Sequence, residues 1–305
     1  MDARITKQRL ANMLSYDWLK IVGAIALAAV FFSMFFTMIA ARATAGQTFY
    51  VYAYDGVYAG GDFSLLEDRL SVKGTNGVFG YDILNTGSES FKKNNLYGDS
   101  VFTARRSAGE GRVMFVNDVR TTDEDGKEKS ALLSFLDYEG TEWESFSLFL
   151  DPKVFMEKCK SYLESFFGPE LKTLDREKAR LAFMERNGKD NRFRSAAKKE
   201  QGVLLEEQRL EKLKTDYLLV SSALGQSLDY VTYTSEQKTH TVGFSMSALN
   251  LTSLVYYITE REGQEVQENS GIALCIFNNG EREGDLIYET VNFVAYLLRE
   301  YGTEK

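Results

Sequence analysis

The sequence holds 305 residues, with a formal net charge of −8 at neutral pH and an isoelectric point near 5.0. This acidic balance argues against nucleic-acid binding, which selects a basic face. Hydrophobic residues make up 44% and charged residues 26%, as is ordinary for a globular protein, and two cysteines exclude a dense disulfide framework.

An uncharged apolar segment at residues 21–41 follows Trp18 and Lys20. At about 1.5 Å per residue, its 21 residues reach across the roughly 30 Å hydrocarbon core of a bilayer. Because cations are concentrated before this segment, the positive-inside rule predicts a cytoplasmic tail at residues 1–18, a transmembrane anchor at 19–41 and an extracytoplasmic body from residue 43.

A cleaved signal peptide is the alternative to this anchor. The triplets Ala41-Arg42-Ala43 and Ala43-Thr44-Ala45 both fit a small-x-small cleavage site. However, the apolar segment is longer than the 7–15 residues usual in a signal peptide, which favours a retained anchor. Under either interpretation the main body is extracytoplasmic, and the retained anchor predicts the plasma membrane as its location.

Strand and helix signals alternate through residues 43–169, which predicts an α/β part. Asp151-Pro152 is typical of a helix start and Gly168-Pro169 of a helix end, so this helix carries the strongest signal. The predicted elements are a strand at 48–54, a helix after Asp62, a strand at 78–84, a loop at 85–99, a helix ending at 108, a strand at 112–119 and a helix from 152.

An acidic turn at residues 121–129 is the one segment that resembles a calcium loop. With Gly126 at the sixth position, Thr121, Asp123 and Asp125 would take positions 1, 3 and 5. The twelfth position would then be Leu132, where a bidentate glutamate is needed. The sequence therefore favours a hairpin turn between strands at 112–119 and 130–136.

A charged segment at residues 170–224 predicts a helical hairpin inserted between two α/β parts. Residues 170–216 hold 13 Lys/Arg and 10 Asp/Glu with many good helix formers. Asn187-Gly188 divides the segment into helices near 170–186 and 191–224, and Glu206 and Gly202 interrupt the apolar stripe of the second one. The hairpin is either a solvated element packed on the domain, or an arm that binds a partner helix or the anionic membrane surface.

Residues 225–305 predict a second α/β part that completes the domain. The uninterrupted apolar run at 271–277 is typical of a central strand covered on both faces. The other predictions are strands at 228–233 and 239–246, an ambiguous segment at 247–257, a surface loop at 261–270 and a final helix at 285–301.

Little in the sequence points to catalysis or to a metal. His240 is the one histidine, and its strand context favours a surface or edge position. With Cys159 and Cys275 far apart in sequence, zinc or a Cys/His dyad has few ligands to use. These cysteines are predicted as two buried thiols, with one disulfide as the alternative. The glycines at 56, 60 and 61 suit an anion-binding turn, but no nucleotide-binding motif accompanies them.

Carboxylates and tyrosines offer two further interpretations. The pairs Asp137/Glu139 and Glu142/Glu144 suit a glycosidase, but a chain with 44 acidic residues contains such pairs by chance. Four alternating tyrosines suit either sugar stacking or cross-strand packing, and packing needs no further assumption. They are Tyr50, Tyr52, Tyr54 and Tyr58. We therefore assign no catalytic, cofactor-binding or metal-binding residue.

Three segments carry a resemblance to a group of single-pass proteins of Gram-positive bacteria. They are Tyr16-Asp17-Trp18-Leu19-Lys20, residues 104–116 (ARRSAGEGRVMFV) and Ala273-Leu274-Cys275-Ile276-Phe277-Asn278-Asn279-Gly280 with the helix at 288–296. Such proteins are often encoded beside ABC-type solute transporters, and some are similar to one lobe of a solute-binding protein. The resemblance implies an extracytoplasmic accessory role and transfers no site residues.

Three functional hypotheses follow. A binding or accessory module of a transport system predicts a polar cleft between the two α/β halves, lined by Tyr, Trp or Asp, with the bilayer and transport proteins as partners. A structural or sensory protein of the cell envelope predicts an exposed apolar stripe along the hairpin. A hydrolase, for which the sequence offers no nucleophile and base, would need two carboxylates that converge in a pocket.

Overall fold

The chain falls into two compact units, Met1–Arg42 and Ala43–Lys305. The computed structural model describes residues 7–39, 43–54, 56–74, 76–91, 96–122, 124–126, 128–139, 148–188, 190–235 and 238–302.

The first unit contains one helix, α1 (Lys7–Ile39), in its described residues. Its large apolar side chains at residues 18–19 and 22–34 are exposed. Among the helices of the described chain, none is at once long enough and apolar enough to cross a membrane. The structure therefore does not support the transmembrane helix predicted at residues 19–41, of which Ala40 and Ala41 lie outside the described residues.

The second unit alternates strands and helices along the chain. In order these are β1 (Thr48–Tyr54), β2 (Tyr58–Ala59), α2 (Gly61–Ser71), β3 (Asn85–Phe91), α3 (Leu96–Ser107), β4 (Val113–Asn117), β5 (Thr121–Thr122), β6 (Glu128–Lys129), α4 (Ala131–Glu139), α5 (Pro152–Phe167), α6 (Arg176–Asn187), α7 (Ala196–Ala223), β7 (Asp229–Ser235), β8 (Lys238–Ser245), β9 (Val255–Arg261), β10 (Gln264–Glu268), β11 (Ile272–Ile276) and α8 (Thr290–Tyr301). Short 3₁₀ segments lie at Ala45–Gln47, Asn191–Phe193 and Gly280–Glu289.

A six-stranded mixed sheet in the order β3-β1-β4-β11-β8-β7 is the centre of this unit. β1 runs parallel to β3 and β4, whereas β11 is antiparallel to both β4 and β8. The parallel strands need crossover connections, and α2 and α3 supply them. The prediction of an α/β fold with a mixed sheet and flanking helices is confirmed.

β11 is the buried central strand that its apolar run predicted, because all five of its residues are buried. Alternate residues of the strand enter core clusters on opposite faces of the sheet. Cys275 belongs to one cluster, and Cys159 of α5 belongs to the other. Both thiols are free and buried, which confirms the predicted pair of thiols over a disulfide.

The start and end signals of α5 also act as predicted. A side-chain oxygen of Asp151 accepts the backbone N–H groups of Lys153 at 2.8 Å and Val154 at 3.2 Å. These bonds satisfy two of the amides that a helix start leaves without partners. Pro152 occupies the first helical position, and Gly168 ends the helix with φ of +75°.

The loop predicted at residues 85–99 is wrong, because its first seven residues form β3. They pair with the whole of β1, from Thr48 opposite Asn85 to Tyr54 opposite Phe91. Pairing with a distant strand here overrides a composition rich in turn formers. The strand predicted at 78–84 is also wrong: that segment is irregular, although Phe79 and Ile83 are buried in the core.

The strand predicted at residues 130–136 is helix α4. Ser130 caps the helix by accepting the N–H of Leu133 at 3.0 Å, and Leu132 and Leu136 are buried one turn apart. The predicted acidic hairpin turn does exist, but its strands are only β5 and β6.

The surface loop predicted at residues 261–270 is a hairpin of β9 and β10. Its two turn residues, Glu262 and Gly263, have φ of +53° and +75°. Positive φ at both positions matches the right-handed twist of the paired strands. The final helix begins at Thr290, five residues later than predicted, after a 3₁₀ segment.

The predicted hairpin helices are present as α6 and α7, and Gly202 of α7 lies directly against the Phe183 ring of α6. A Cβ at this position would lie 2.2 Å from Phe183 Cζ and 2.9 Å from Phe193 Cδ1. Helix propensity alone makes alanine more stable than glycine by about 1 kcal/mol. We expect the reverse for Gly202→Ala: a loss of about 1–3 kcal/mol in the free energy of unfolding, measured by urea denaturation. Adding Phe183→Leu should recover part of this loss, and a stabilised Gly202→Ala would contradict the prediction.

Candidate functional site

A cavity of about 840 Å³ lies between three elements of the second unit. Its walls are the segment between Val72 and Tyr81 that follows α2, one face of α7 and the C-terminal half of α8. Small-molecule sites in proteins occupy about 300–1,000 Å³, so this cavity has a suitable size for a ligand.

Helix α7 separates this cavity from the core. Leu205, Arg209, Lys212 and Asp216 recur at helical spacing and line the cavity. A second set of α7 residues, also at helical spacing, is buried in the core: Leu210, Leu213, Tyr217 and Val220. The charged helix α7 is therefore packed on the domain, with contacts to α5, α6 and α8.

The floor of the cavity contains a fully buried arginine, Arg209. Its Nη1 donates to Glu289 at 2.8 Å, while Nε and Nη2 donate to the two oxygens of Glu206 at 3.0 and 2.8 Å. Nη2 also donates to the Tyr162 hydroxyl at 2.7 Å. Buried charges are tolerated when they are paired in this way, so each of these groups depends on the others.

Further charged groups tie the segment around Tyr81 to the helical hairpin. Arg186 of α6 donates to Asp82 at 2.8 Å and also to Glu206. The Tyr81 hydroxyl donates to Glu206 at 3.2 Å, and Arg192 donates to the Tyr81 carbonyl at 3.1 Å. Glu206, which interrupts the apolar stripe of α7, therefore accepts hydrogen bonds from Arg209, Arg186 and Tyr81.

The pKa values of Glu206 and Asp82 in this cluster are shifted in opposite directions. Burial alone would raise the pKa of Glu206, but the guanidinium groups of Arg209 and Arg186 outweigh it and lower the pKa to about 2. For Asp82, burial dominates over the attraction of Arg186 and raises the pKa.

We expect the shifted pKa of Glu206 to make the fold sensitive to acid. Because its folded pKa lies below the unfolded value of about 4.3, its stabilisation is complete above that pH and is lost as the pH falls toward 2. The loss should reach about 2 kcal/mol by pH 3. Urea denaturation of wild type and Glu206→Gln at pH 7 and pH 3 measures it. The variant should lose less stability than wild type, and equal losses would contradict the assignment.

The side wall of the cavity carries cations from three elements. Asp216, almost fully buried, forms an ion pair with Lys212 of α7, with 3.1 Å between nitrogen and oxygen, and accepts a hydrogen bond from Arg299 of α8. Arg69 of α2 donates to Asp62 at 3.0 Å. Its other terminal nitrogen lies 3.3 Å from the hydroxyls of Tyr296 and Tyr301. No local sequence pattern indicates this site, because the helices that build it are far apart along the chain.

Two of the backbone amides near Gly60 that could bind an anion are already hydrogen-bonded within the chain. The N–H of Gly60 donates to the Leu254 carbonyl at 2.7 Å, and the N–H of Asp62 donates to the Ser253 carbonyl at 2.9 Å. Carbonyl groups of the segment before β9 therefore occupy these two amides, so they are not free to bind an anion.

The alternating tyrosines divide between packing and exposure. Tyr52 and Tyr54 are buried in the cluster on one face of the sheet, which confirms cross-strand packing for them. Tyr50 packs against the same cluster. Tyr58 is exposed and stacks on Tyr256 with ring centroids 5.7 Å apart.

The remaining candidates do not converge on a site. His240 is half-buried on β8, opposite Tyr233 of the edge strand β7. Within the part of the chain that the structure describes, no three His, Cys, Asp or Glu side chains are grouped as a metal site requires. Asp123, the side chains of Asp137 and Glu139, and the pair at 142 and 144 lie outside the described residues.

No protein-family model, curated protein or solved structure matches this chain.

Proposed function

We propose that this protein is a membrane-anchored, extracytoplasmic binding or accessory module that acts by capturing a ligand or a partner. The observation that carries the proposal is the cavity, which has the size of a small-molecule site and is lined by Tyr81, Tyr296 and Asp216. A cavity of ligand size with a few polar groups in a largely apolar lining is typical of a small-molecule binding site and supports a binding module over the other hypotheses.

The membrane part of the proposal rests on the sequence. The uncharged segment at residues 21–41 and the cations before it favour an anchor with the N-terminus in the cytoplasm. Protease added to intact cells stripped of their wall should cleave the chain beyond residue 45. If the body is cleaved only after lysis, or if the protein is recovered fully soluble from inside the cell, this part is wrong.

The proposed partner is an ABC-type solute transport system, as the resemblance of residues 104–116 and 273–280 implies. Affinity capture of the full chain from detergent-solubilised membranes, followed by mass spectrometry, tests it. Recovery of a permease or ATPase subunit supports the proposal. Recovery of envelope proteins alone contradicts it. Residues 1–42 carrying the same tag serve as the control for association through the anchor alone.

A structural or sensory role in the cell envelope is the second candidate, favoured by apolar side chains exposed on the hairpin. Leu181 on α6 is 61% exposed and Leu204 on α7 is 59% exposed. In this case Leu181→Glu and Leu204→Glu would abolish capture of an envelope partner. If the binding proposal is correct, these substitutions leave ligand binding unchanged.

Hydrolysis ranks last among the proposals. The carboxylates that meet beneath the cavity, Asp82 and Glu206, share Arg186, and Glu206 also binds Arg209. Burial raises the pKa of Asp82, as a general acid requires, but both carboxylates are buried and neither lines the cavity, so a substrate bound there does not reach them.

A further inference from the structure

We propose that the cavity binds a small organic oxyanion, a carboxylate or a phosphate ester, with its acidic group between Lys212 and Arg299. This inference rests on the proposed binding function and names the chemical class of the ligand.

The buried carboxylate of Asp216 lies behind two more exposed basic side chains, those of Lys212 and Arg299. The Asp216 side chain is 1% exposed, whereas those of Lys212 and Arg299 are 19% and 43% exposed. Two cations share this one carboxylate, so the group keeps one net positive charge. A ligand in the cavity therefore meets ammonium and guanidinium donors before it meets the carboxylate. The planar guanidinium fork also matches the geometry of carboxylate and phosphate oxygens.

The other acidic side chains near the cavity are paired with cations or screened by solvent. Glu206 and Glu289 are fully buried and bind Arg209. Glu211 is engaged by Lys214 at 2.6 Å. Glu300 is exposed on α8, where water and salt screen its charge. The cationic pair on Asp216 thus dominates the polar part of the wall.

Part of the remaining cavity lining is apolar. Val72 and Val78 on one wall and Leu205 on the other provide surface for a hydrocarbon body. Gly74 in the same wall has open space where a side chain would be, so a ligand can approach the backbone there. An organic anion, with one charged end and one apolar body, matches this division of the cavity better than a free inorganic ion.

Fluorescence titration of the full chain in detergent with two dansyl probes tests the proposal. Dansylglutamate is anionic, and dansylamide offers the same ring system without charge. We expect dansylglutamate to bind at least about tenfold more tightly. Lys212→Gln and Arg299→Gln should each raise its dissociation constant about tenfold or more, because each removes a charge-assisted hydrogen bond. Lys178→Gln on α6, which removes the same charge away from the cavity, should leave it unchanged. Near-ultraviolet circular dichroism confirms that each variant is folded.

Competitors identify the source of the oxyanion. Displacement of dansylglutamate by glutarate or by glycerol phosphate supports a small soluble ligand. Displacement by dihexanoyl-phosphatidylglycerol alone overturns that assignment in favour of a lipid headgroup. Equal binding of dansylamide overturns the oxyanion class but retains the binding function. Failure of both probes to bind a folded protein overturns the inference, whereas the accessory function is decided separately by the capture of transport proteins.

Discussion

Replacing Arg209 by methionine will lower the free energy of unfolding by about 3–5 kcal/mol, as measured by urea denaturation at pH 7. The guanidinium is fully buried and binds Glu206 and Glu289, which are buried as well. Without it, two carboxylates remain in a water-poor environment with less compensation. The transfer of charge from water is the dominant cost here, because methionine fills much of the volume that arginine leaves.

Neutralising the two carboxylates separates this charge effect from a loss of packing. In the triple variant Arg209→Met, Glu206→Gln, Glu289→Gln, most of the lost stability should return. Lys178→Met removes an exposed cation that lies 3.8 Å from Asp175, and it should change stability by less than about 1 kcal/mol. A loss below about 1 kcal/mol for Arg209→Met would show that water reaches the cluster and that its charges are not interdependent.

The elements that sequence reasoning predicted correctly are those with local signals. The helix α5 carries its own start and end in Asp151, Pro152 and Gly168. The strand β11 is recognisable because burial on both faces demands a continuous apolar run. In each case, the residues that determine the structure lie within the element itself.

The errors arise where a distant partner determines the structure. β3 contains glycine, serine and asparagine, and only its pairing with β1 makes it a strand. In the sequence, Glu206 only interrupts the apolar stripe of α7. In the folded protein it accepts hydrogen bonds from Arg186 and Tyr81. A single sequence carries no record of these contacts.

The cavity was unpredictable for the same reason. Its walls come from α2 and the segment after it, from α7 and from α8, which are separated by more than 100 residues in one case. Arg69, Lys212 and Arg299 each look like ordinary surface cations along the chain. Their common position depends on how α7 and α8 pack against one another and on the sheet.

Phe293→Ala should therefore disturb both the core and the cavity. Phe293 is fully buried on α8, and its ring centroid lies 5.3 Å from that of Phe49 on β1 and 6.4 Å from that of Phe115 on β4. Removing a buried phenylalanine ring costs about 3–5 kcal/mol, through lost burial and the void that remains. Because Tyr296 and Arg299 lie on the same helix, a shifted α8 should also weaken binding of dansylglutamate. Urea denaturation and the probe titration measure the two effects.

Leu204→Ala is the matched control, since it removes an exposed apolar side chain from α7 and should cost less than about 0.5 kcal/mol. Phe293→Leu tests whether volume is sufficient: it retains apolar contact with the sheet and should recover part of the stability. If Phe293→Ala unfolds as easily as expected but binds the probe with wild-type affinity, α8 is not the element that positions the cationic wall. If stability is unchanged, the helix is not held to β1 and β4 by this ring.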